Sequence, residues 1–348
     1  VPSLTKAPDD SPNTSSVWNV QLSGYPRALG CTEDGRTMAV GTDDGRVALI
    51  SAPTGEVVRT LKLSSAPILA LAFHKCLNLL AVSGEEGIVW VHDLATEQTT
   101  VAFETNDVWP QIVQWHPKHS KLAIAAGRGV RLWSTDGRSQ PPETEVESTI
   151  AGLSWSPKGD ALAVACYGGV RLVDQKSGRV TRRFQWKGSM INLEWSPDGK
   201  VIACGCQDSS VHFWRLATGR DSQMSGYPQK PAVIAWSHDS RWLATGGASE
   251  ITTWNFKKGP EGTAPLQLRA HDLPITALQF APAVNALASG SRDGEVFMWL
   301  PDEMDRPIRR FRLGARIEAL QWTLDLANKR MLLVAAAAGG QVAAWPFS

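Results

Sequence analysis

Apolar and polar residues alternate along this chain in short bursts. Ile191-Asn192-Leu193-Glu194-Trp195 places apolar side chains at every second position, and Ser196-Pro197-Asp198-Gly199 then interrupts the pattern. A period of two predicts a strand with unlike faces. Proline presets φ for a tight turn, and glycine leaves the turn without steric cost. A more continuous apolar run, Val201 to Cys206, reads as a strand buried on both faces. A second turn leads to Val211-His212-Phe213-Trp214, and a more polar stretch closes the unit. No segment shows a helical period, so the pattern predicts four short antiparallel strands joined by turns.

The unit recurs. A bulky or aromatic residue stands just before the first turn at Cys31, Phe73, Trp115, Trp155, Trp195, Trp236, Phe280 and Trp322, at intervals of 42, 42, 40, 40, 41, 44 and 42. A second series marks the third strand at Ile50, His92, Trp133, Val173, Trp214, Trp254, Trp299 and Trp345. Ten of the fifteen tryptophans fall in these two series, so tryptophan is a repeat feature rather than a binding signature. One four-stranded sheet cannot bury both faces alone; copies stacked around an axis can.

Third strands begin at Val47, Val89, Val130, Val170, Val211, Ile251, Val296 and Val342. The last unit ends three residues after Trp345 and lacks an outer strand of its own, while Ser16-Val17-Trp18-Asn19-Val20-Gln21-Leu22 alternates with no unit around it. Pairing these two remnants gives an all-β, single eight-bladed propeller of four-stranded antiparallel blades. Strand 16–22 then closes the ring against the C-terminal blade. Seven blades, with one unit outside the ring, is the alternative. Residues 1–15, polar and carrying Pro2, Pro8 and Pro12, read as a flexible N-terminal tail preceding one domain over 16–348.

The unit from His271 through Leu278-Gln279-Phe280 and Ala288-Ser289-Gly290-Ser291-Arg292-Asp293-Gly294 to Trp299 resembles the WD40-repeat family, and the likeness extends over residues 16–348. The resemblance implies a structural hydrogen-bond tetrad of His271, Asp293, Trp299 and either Ser289 or Ser291. Most other units depart from the family pattern: the Gly-His pair is absent, and the Asp following the Trp position survives only at Asp93 and Asp174. The alanine-, glycine- and tryptophan-rich units have a bacterial look.

The resemblance also implies a non-catalytic scaffold that binds a protein or peptide on one face of the ring. That face carries the turn between second and third strands and the connection from one blade to the next. The repeat places Tyr25, Arg27, Trp109, Gln111, Lys230, Arg316 and Glu318 there. Tyrosine, tryptophan and arginine are the usual interface anchors; the plainer reading is ordinary exposed loop residues.

Composition narrows the functional classes. Apolar residues make up 43% and charged residues 20%, as in globular proteins, and no stretch has the length of a membrane span or a signal peptide. A net charge of +1 supplies no general attraction to nucleic acid or to an anionic membrane. The arginines of Thr181-Arg182-Arg183-Phe184 and Ile308-Arg309-Arg310-Phe311-Arg312 fall on outer strands, where charge blocks edge-to-edge pairing. Five cysteines form no disulfide framework and point to a reducing, cytoplasmic setting. The expected state is a monomer or a subunit of a larger complex. No phosphate-binding glycine loop, HExxH or nucleophile elbow occurs. The second-strand ends, Thr42, Gly84, Ala126, Cys166, Cys206, Gly247, Ser291 and Ala337, are all small. If they face the central channel, they argue against catalysis at the axis.

One alternative function has a chemical basis. The first turns of the second and third units carry His74-Lys75-Cys76 and His116-Pro117-Lys118-His119. Imidazole and thiolate are zinc or copper ligands. Neighbouring turns that gathered His74, Cys76, His116 and His119 would make a metal-binding or metal-handling propeller, although the spacing matches no standard zinc motif. No other cofactor is expected.

Overall fold

A computed structural model of the chain describes residues 15–136, 143–257, 259–325 and 328–347. Among them the chain forms eight antiparallel sheets, seven of them meanders built from consecutive sequence. The seventh blade shows the plan: Ile275–Phe280, Leu287–Ser291, Glu295–Trp299 and Arg309–Arg312 pair in that order. Its second and third strands are buried at every position, while the outer strand is buried only at Phe311. The reason is position in the stack: middle strands lie between neighbouring blades on both faces, whereas the outer strand borders solvent and tolerates its arginines. In the fourth blade the second and third strands form one element, Leu162–Val173, which passes Gly168 and Gly169 at φ of 85° and 113°. Glycine adopts such angles without a Cβ penalty.

The eighth blade closes the ring. Ile317–Asp325, Arg330–Ala337 and Gln341–Phe347 supply three strands, and Trp18–Gln21 from the other end of the chain supplies the fourth. Trp18 pairs with Ala344, Asn19 with Ala343, Val20 with Val342 and Gln21 with Gln341. The seam is more than a ladder. The Trp18 indole donates to the Ala52 carbonyl at 2.8 Å and packs with Met38, Val40 and Ile50 of the first blade and Val334 and Val342 of the eighth. Eight blades with this closure is therefore the observed fold. The expected tail lies, except for Ser15, outside the described residues. No helix among the described residues is long and apolar enough to cross a membrane.

First strands of successive blades are neighbours and form the inner ring. In four blades the first-strand indole reaches back to the preceding blade. Trp115 donates to the Ala72 carbonyl at 3.0 Å, Trp155 to Gln114 at 3.1 Å, Trp195 to Ser154 at 3.1 Å and Trp322 to Gln279 at 3.0 Å. This arrangement corrects the expectation for the channel. The ends of the second strands do not line it: Thr42, Gly84, Ala126, Cys166, Cys206, Ser291 and Ala337 are buried within the blades, and Gly247 is half-buried. They are small because they are packed.

Candidate interaction face

In a four-stranded meander, the turn between strands two and three and the connection to the next blade emerge on the same side. Backbone hydrogen bonds tie these two sets of loops together: Asp43 N–H to Tyr25 at 3.0 Å, Glu85 to Pro67 at 2.9 Å, Arg292 to Pro274 at 3.0 Å and Ala338 to Arg316 at 2.8 Å. The loops are thus held by main chain, leaving their side chains available. Three large aromatics project from this face, Tyr25 at 59%, Trp109 at 60% and Tyr167 at 57% exposure, together with Val108 and Leu273. Large apolar side chains held in water on ordered loops are the anchors that interfaces use. Tyr167, Val108 and Leu273 are not singled out by the sequence. For Tyr167 the available signal is an aromatic directly before the Gly168-Gly169 turn.

The other residues assigned to this face divide. Arg27 of the first blade lies 3.7 Å from Glu85 of the second, and Arg316 lies 3.4 Å from Glu318. Lys230 is exposed, and its carbonyl accepts the Ala232 N–H at 2.8 Å. Gln111 is a clamp between blades: its amide donates to the Ile150 carbonyl at 3.2 Å and accepts the Gly127 N–H at 3.4 Å.

The structure joins three members of the expected tetrad. His271 Nε2 lies 2.7 Å from Ser289 Oγ, and the Trp299 indole donates to the same oxygen at 2.8 Å. Ser289 thus takes the bridging place. Ser291 donates to Asp293 and to the Glu295 carbonyl, and Asp293 accepts the Glu295 N–H, so the carboxylate serves its own turn. The His271 Nδ1 is buried without a hydrogen-bond partner. Burial, opposed by the charges of Asp293 and Glu295, pushes the His271 pKa down to about 4.

The metal-ligand set does not assemble. His74 Nδ1 accepts the N–H groups of Cys76 and Leu77, both at 3.0 Å, which places its proton on Nε2, facing the His119 carbonyl at 3.1 Å. His116 repeats the arrangement with Lys118, His119 and the Gly159 carbonyl. Both nitrogens of each ring are committed to turn closure and to the next blade, so neither offers a lone pair. Burial lowers the pKa of both, keeping them neutral. His119 stacks on His116 with ring centroids 4.5 Å apart, and Cys76 is exposed. Among the described residues no group of three or more His, Cys, Asp or Glu side chains is placed to hold a metal ion. These histidines close their turns where Ser156, Ser196 and Ser237 close others through Oγ.

Eight such blades with this closure define a WD40-type β-propeller. The family model described as the first β-propeller of IFT122 matches residues 27–299, and the chain belongs to that family. Similar curated proteins include meiotic fizzy-related protein 1 of Schizosaccharomyces pombe, 24% identical over 115 residues, which are 32% of this chain and 26% of that protein. Protein transport protein SEC31 of Ajellomyces capsulatus is 36% identical over 124 residues, 32% of this chain and 10% of that protein. The matched segments thus span a small part of either relative. Among solved structures, Sqt1 of Saccharomyces cerevisiae superposes with a TM-score of 0.81 at 15% identity, covering 96% of this chain and 99% of that one. The computationally designed Ika8 protein gives 0.78 at 18% identity, covering 94% and 98%. Likeness at these identities concerns the fold alone.

Proposed function

We propose that this propeller is a non-catalytic protein-interaction platform that binds a protein or peptide partner on the face carrying Tyr25, Trp109 and Tyr167. The observation that carries this reading is the set of exposed aromatics on loops whose backbone is already tied down: Tyr25 by the Asp43 N–H to its carbonyl, Trp109 by the Gln111 N–H to its carbonyl at 3.0 Å, and Tyr167 by its own N–H to Ser148 Oγ at 2.8 Å. Preorganised aromatic anchors lose little side-chain entropy on binding. The commitment of His74 and His116 to turn closure, and of His271 to its serine, supports a structural rather than a chemical use of the buried imidazoles. The thiols of Cys166, Cys204 and Cys206, buried and free, suit a reducing compartment, and we place the protein in the cytoplasm.

The test compares affinity capture from the native host by the wild-type chain, by Trp109→Ala with Tyr167→Ala, and by Leu77→Ala, whose exposed side chain lies on the opposite face. Partners recovered in near-stoichiometric yield by wild type and Leu77→Ala, and lost from the double variant, are the expected result. Identical recovery by all three would remove the proposed face from consideration.

A further inference from the structure

Seven of the eight units carry an aromatic ring at the matching first-strand position, Phe73, Trp115, Trp155, Trp195, Trp236, Phe280 or Trp322; the first unit has Cys31. In four units the ring is an indole whose N–H reaches the preceding blade's carbonyl one residue before the matching position, at Ala72, Gln114, Ser154 and Gln279. By the same register, the carbonyl facing the first blade belongs to Gln321. Cys31 brings no ring to it: its thiol stops 3.2 Å from Thr323 Oγ1. A cavity of about 230 Å³ opens there, lined by Cys31, Gln279, Phe280, Gln321, Trp322 and Leu324, among others. For scale, an apolar cavity of about 150 Å³ holds one benzene, so this one has room for a fused bicyclic ring. Its walls combine Phe280, Trp322 and Leu324 with the amides of Gln279 and Gln321, as suits a ligand that is flat, mostly apolar and carries one polar edge.

We propose that this cavity at the seam of the seventh, eighth and first blades is a binding site for an indole ring supplied in trans. The ring takes the place that a tryptophan of the first blade would fill and directs its N–H to the Gln321 carbonyl. The chain itself is the template, since the same position in four other blades holds that ring with that hydrogen bond. The site binds rather than reacts: burial pushes the Cys31 thiol up to about 11, so it stays protonated near neutral pH. It lies on the side of the ring opposite the aromatic face described above and is independent of that face's function.

Equilibrium dialysis of indole against the full chain tests the site directly, with thermal melting as a second readout. We expect saturable binding of one indole per chain and a Tm rise of about 1–3 °C at saturating ligand. In Cys31→Trp the cavity is filled from within, and binding falls at least tenfold. Cys31→Phe, which introduces the ring already present at Phe73 and Phe280, serves the same purpose should the larger residue not fold. N-acetyltryptophanamide run alongside indole identifies the source. Binding of both supports a tryptophan side chain of a partner segment, and binding of indole alone supports a free small molecule. Absence of saturable binding by wild type, or equal binding by wild type and a filled variant that folds, overturns the proposal.

Discussion

In the seventh blade a histidine from the connecting loop reaches the third-strand indole through a serine; in the sixth, the loop sends a tyrosine to its indole directly. The registers are equivalent, since Trp299 pairs with Leu287 and Trp254 with Leu243, each two residues before Ser289 and Thr245. In the sixth blade the Trp254 indole donates to Tyr227 Oη at 2.8 Å, and Thr245 Oγ1 lies 3.2 Å from the same oxygen and 3.0 Å from the Thr252 carbonyl. The bridging oxygen has moved from strand to loop, yet the indole N–H is satisfied in both. The first blade has Val40 and Ile50 at the corresponding positions, both fully buried. What these three blades share is filled volume between the strands, with the third-strand indole N–H satisfied wherever that indole is present. The family's histidine network is one of three solutions present in a single chain.

The comparison is broken most severely by removing the shared element. Trp299→Ala should cost about 3–5 kcal/mol, as for other buried aromatics. Trp254→Ala should cost less, because Trp254 is 9% exposed and Trp299 fully buried. Urea midpoints of the two variants measure this. A larger loss for Trp254→Ala would mean that the indole's surroundings, not its depth, set its value.

Acid separates the two blades next. Burial holds His271 neutral, with its pKa down at about 4 against an ordinary 6.5. Between those values the unfolded chain binds a proton that the folded chain refuses. Stability is therefore fully present above pH 6.5 and falls as pH drops toward 4, by about 3 kcal/mol for a shift of this size. Tyr227 has no counterpart change in that range. Burial lowers His74, His92, His116 and His212 in the same direction, so part of the slope is shared. The specific expectation is that His271→Gln loses less Tm than wild type between about pH 7 and about pH 4.5. An unchanged slope would show that His271 is not held neutral by its blade.

Smaller again is the bridge itself. Ser289→Ala leaves the Trp299 indole and His271 Nε2 facing each other without the hydroxyl between them, in a fully buried site. An unmet donor of this kind costs about 1–3 kcal/mol. A double-mutant cycle with His271→Gln should show strong coupling, because both residues share one oxygen. Additive losses would mean that the two contacts act separately.

How far these features could be read from the sequence depended on what each one needed. The ring closure was legible because two facts pointed to the same pairing: a last unit without an outer strand and an alternating segment, Val17 to Leu22, without a unit. The break in the aromatic series at Cys31 was equally visible, but the cavity was not, since it depends on Gln279 and Leu324 from other blades. The channel was misread because eight aligned small residues show that a position is confined without showing by what. The turn histidines were misread for a related reason: ligand-type side chains are recognised by identity, while the hydrogen bonds that consume both nitrogens of His74 and His116 are a matter of geometry. Tyr227 was passed over because its role requires a loop residue to meet Trp254 across 27 positions.

That loop residue is also where the mildest test lies. Tyr227→Phe keeps the ring and deletes only the oxygen that accepts the Trp254 N–H. By the same accounting as Ser289→Ala, one polar group is stranded instead of two. Yet a cavity of about 240 Å³ opens beside this site, lined by Tyr227, Thr245 and Trp254 among others. A water molecule entering there can accept from the indole and donate to Thr245 Oγ1, restoring most of what the hydroxyl supplied. The expected loss is therefore below about 1 kcal/mol, less than for Ser289→Ala, where the serine is fully buried. The urea midpoint of Tyr227→Phe read against that of Ser289→Ala decides it. A loss for Tyr227→Phe equal to or above that of the serine variant would mean that the sixth blade depends on its tyrosine hydroxyl as strictly as the seventh depends on its serine.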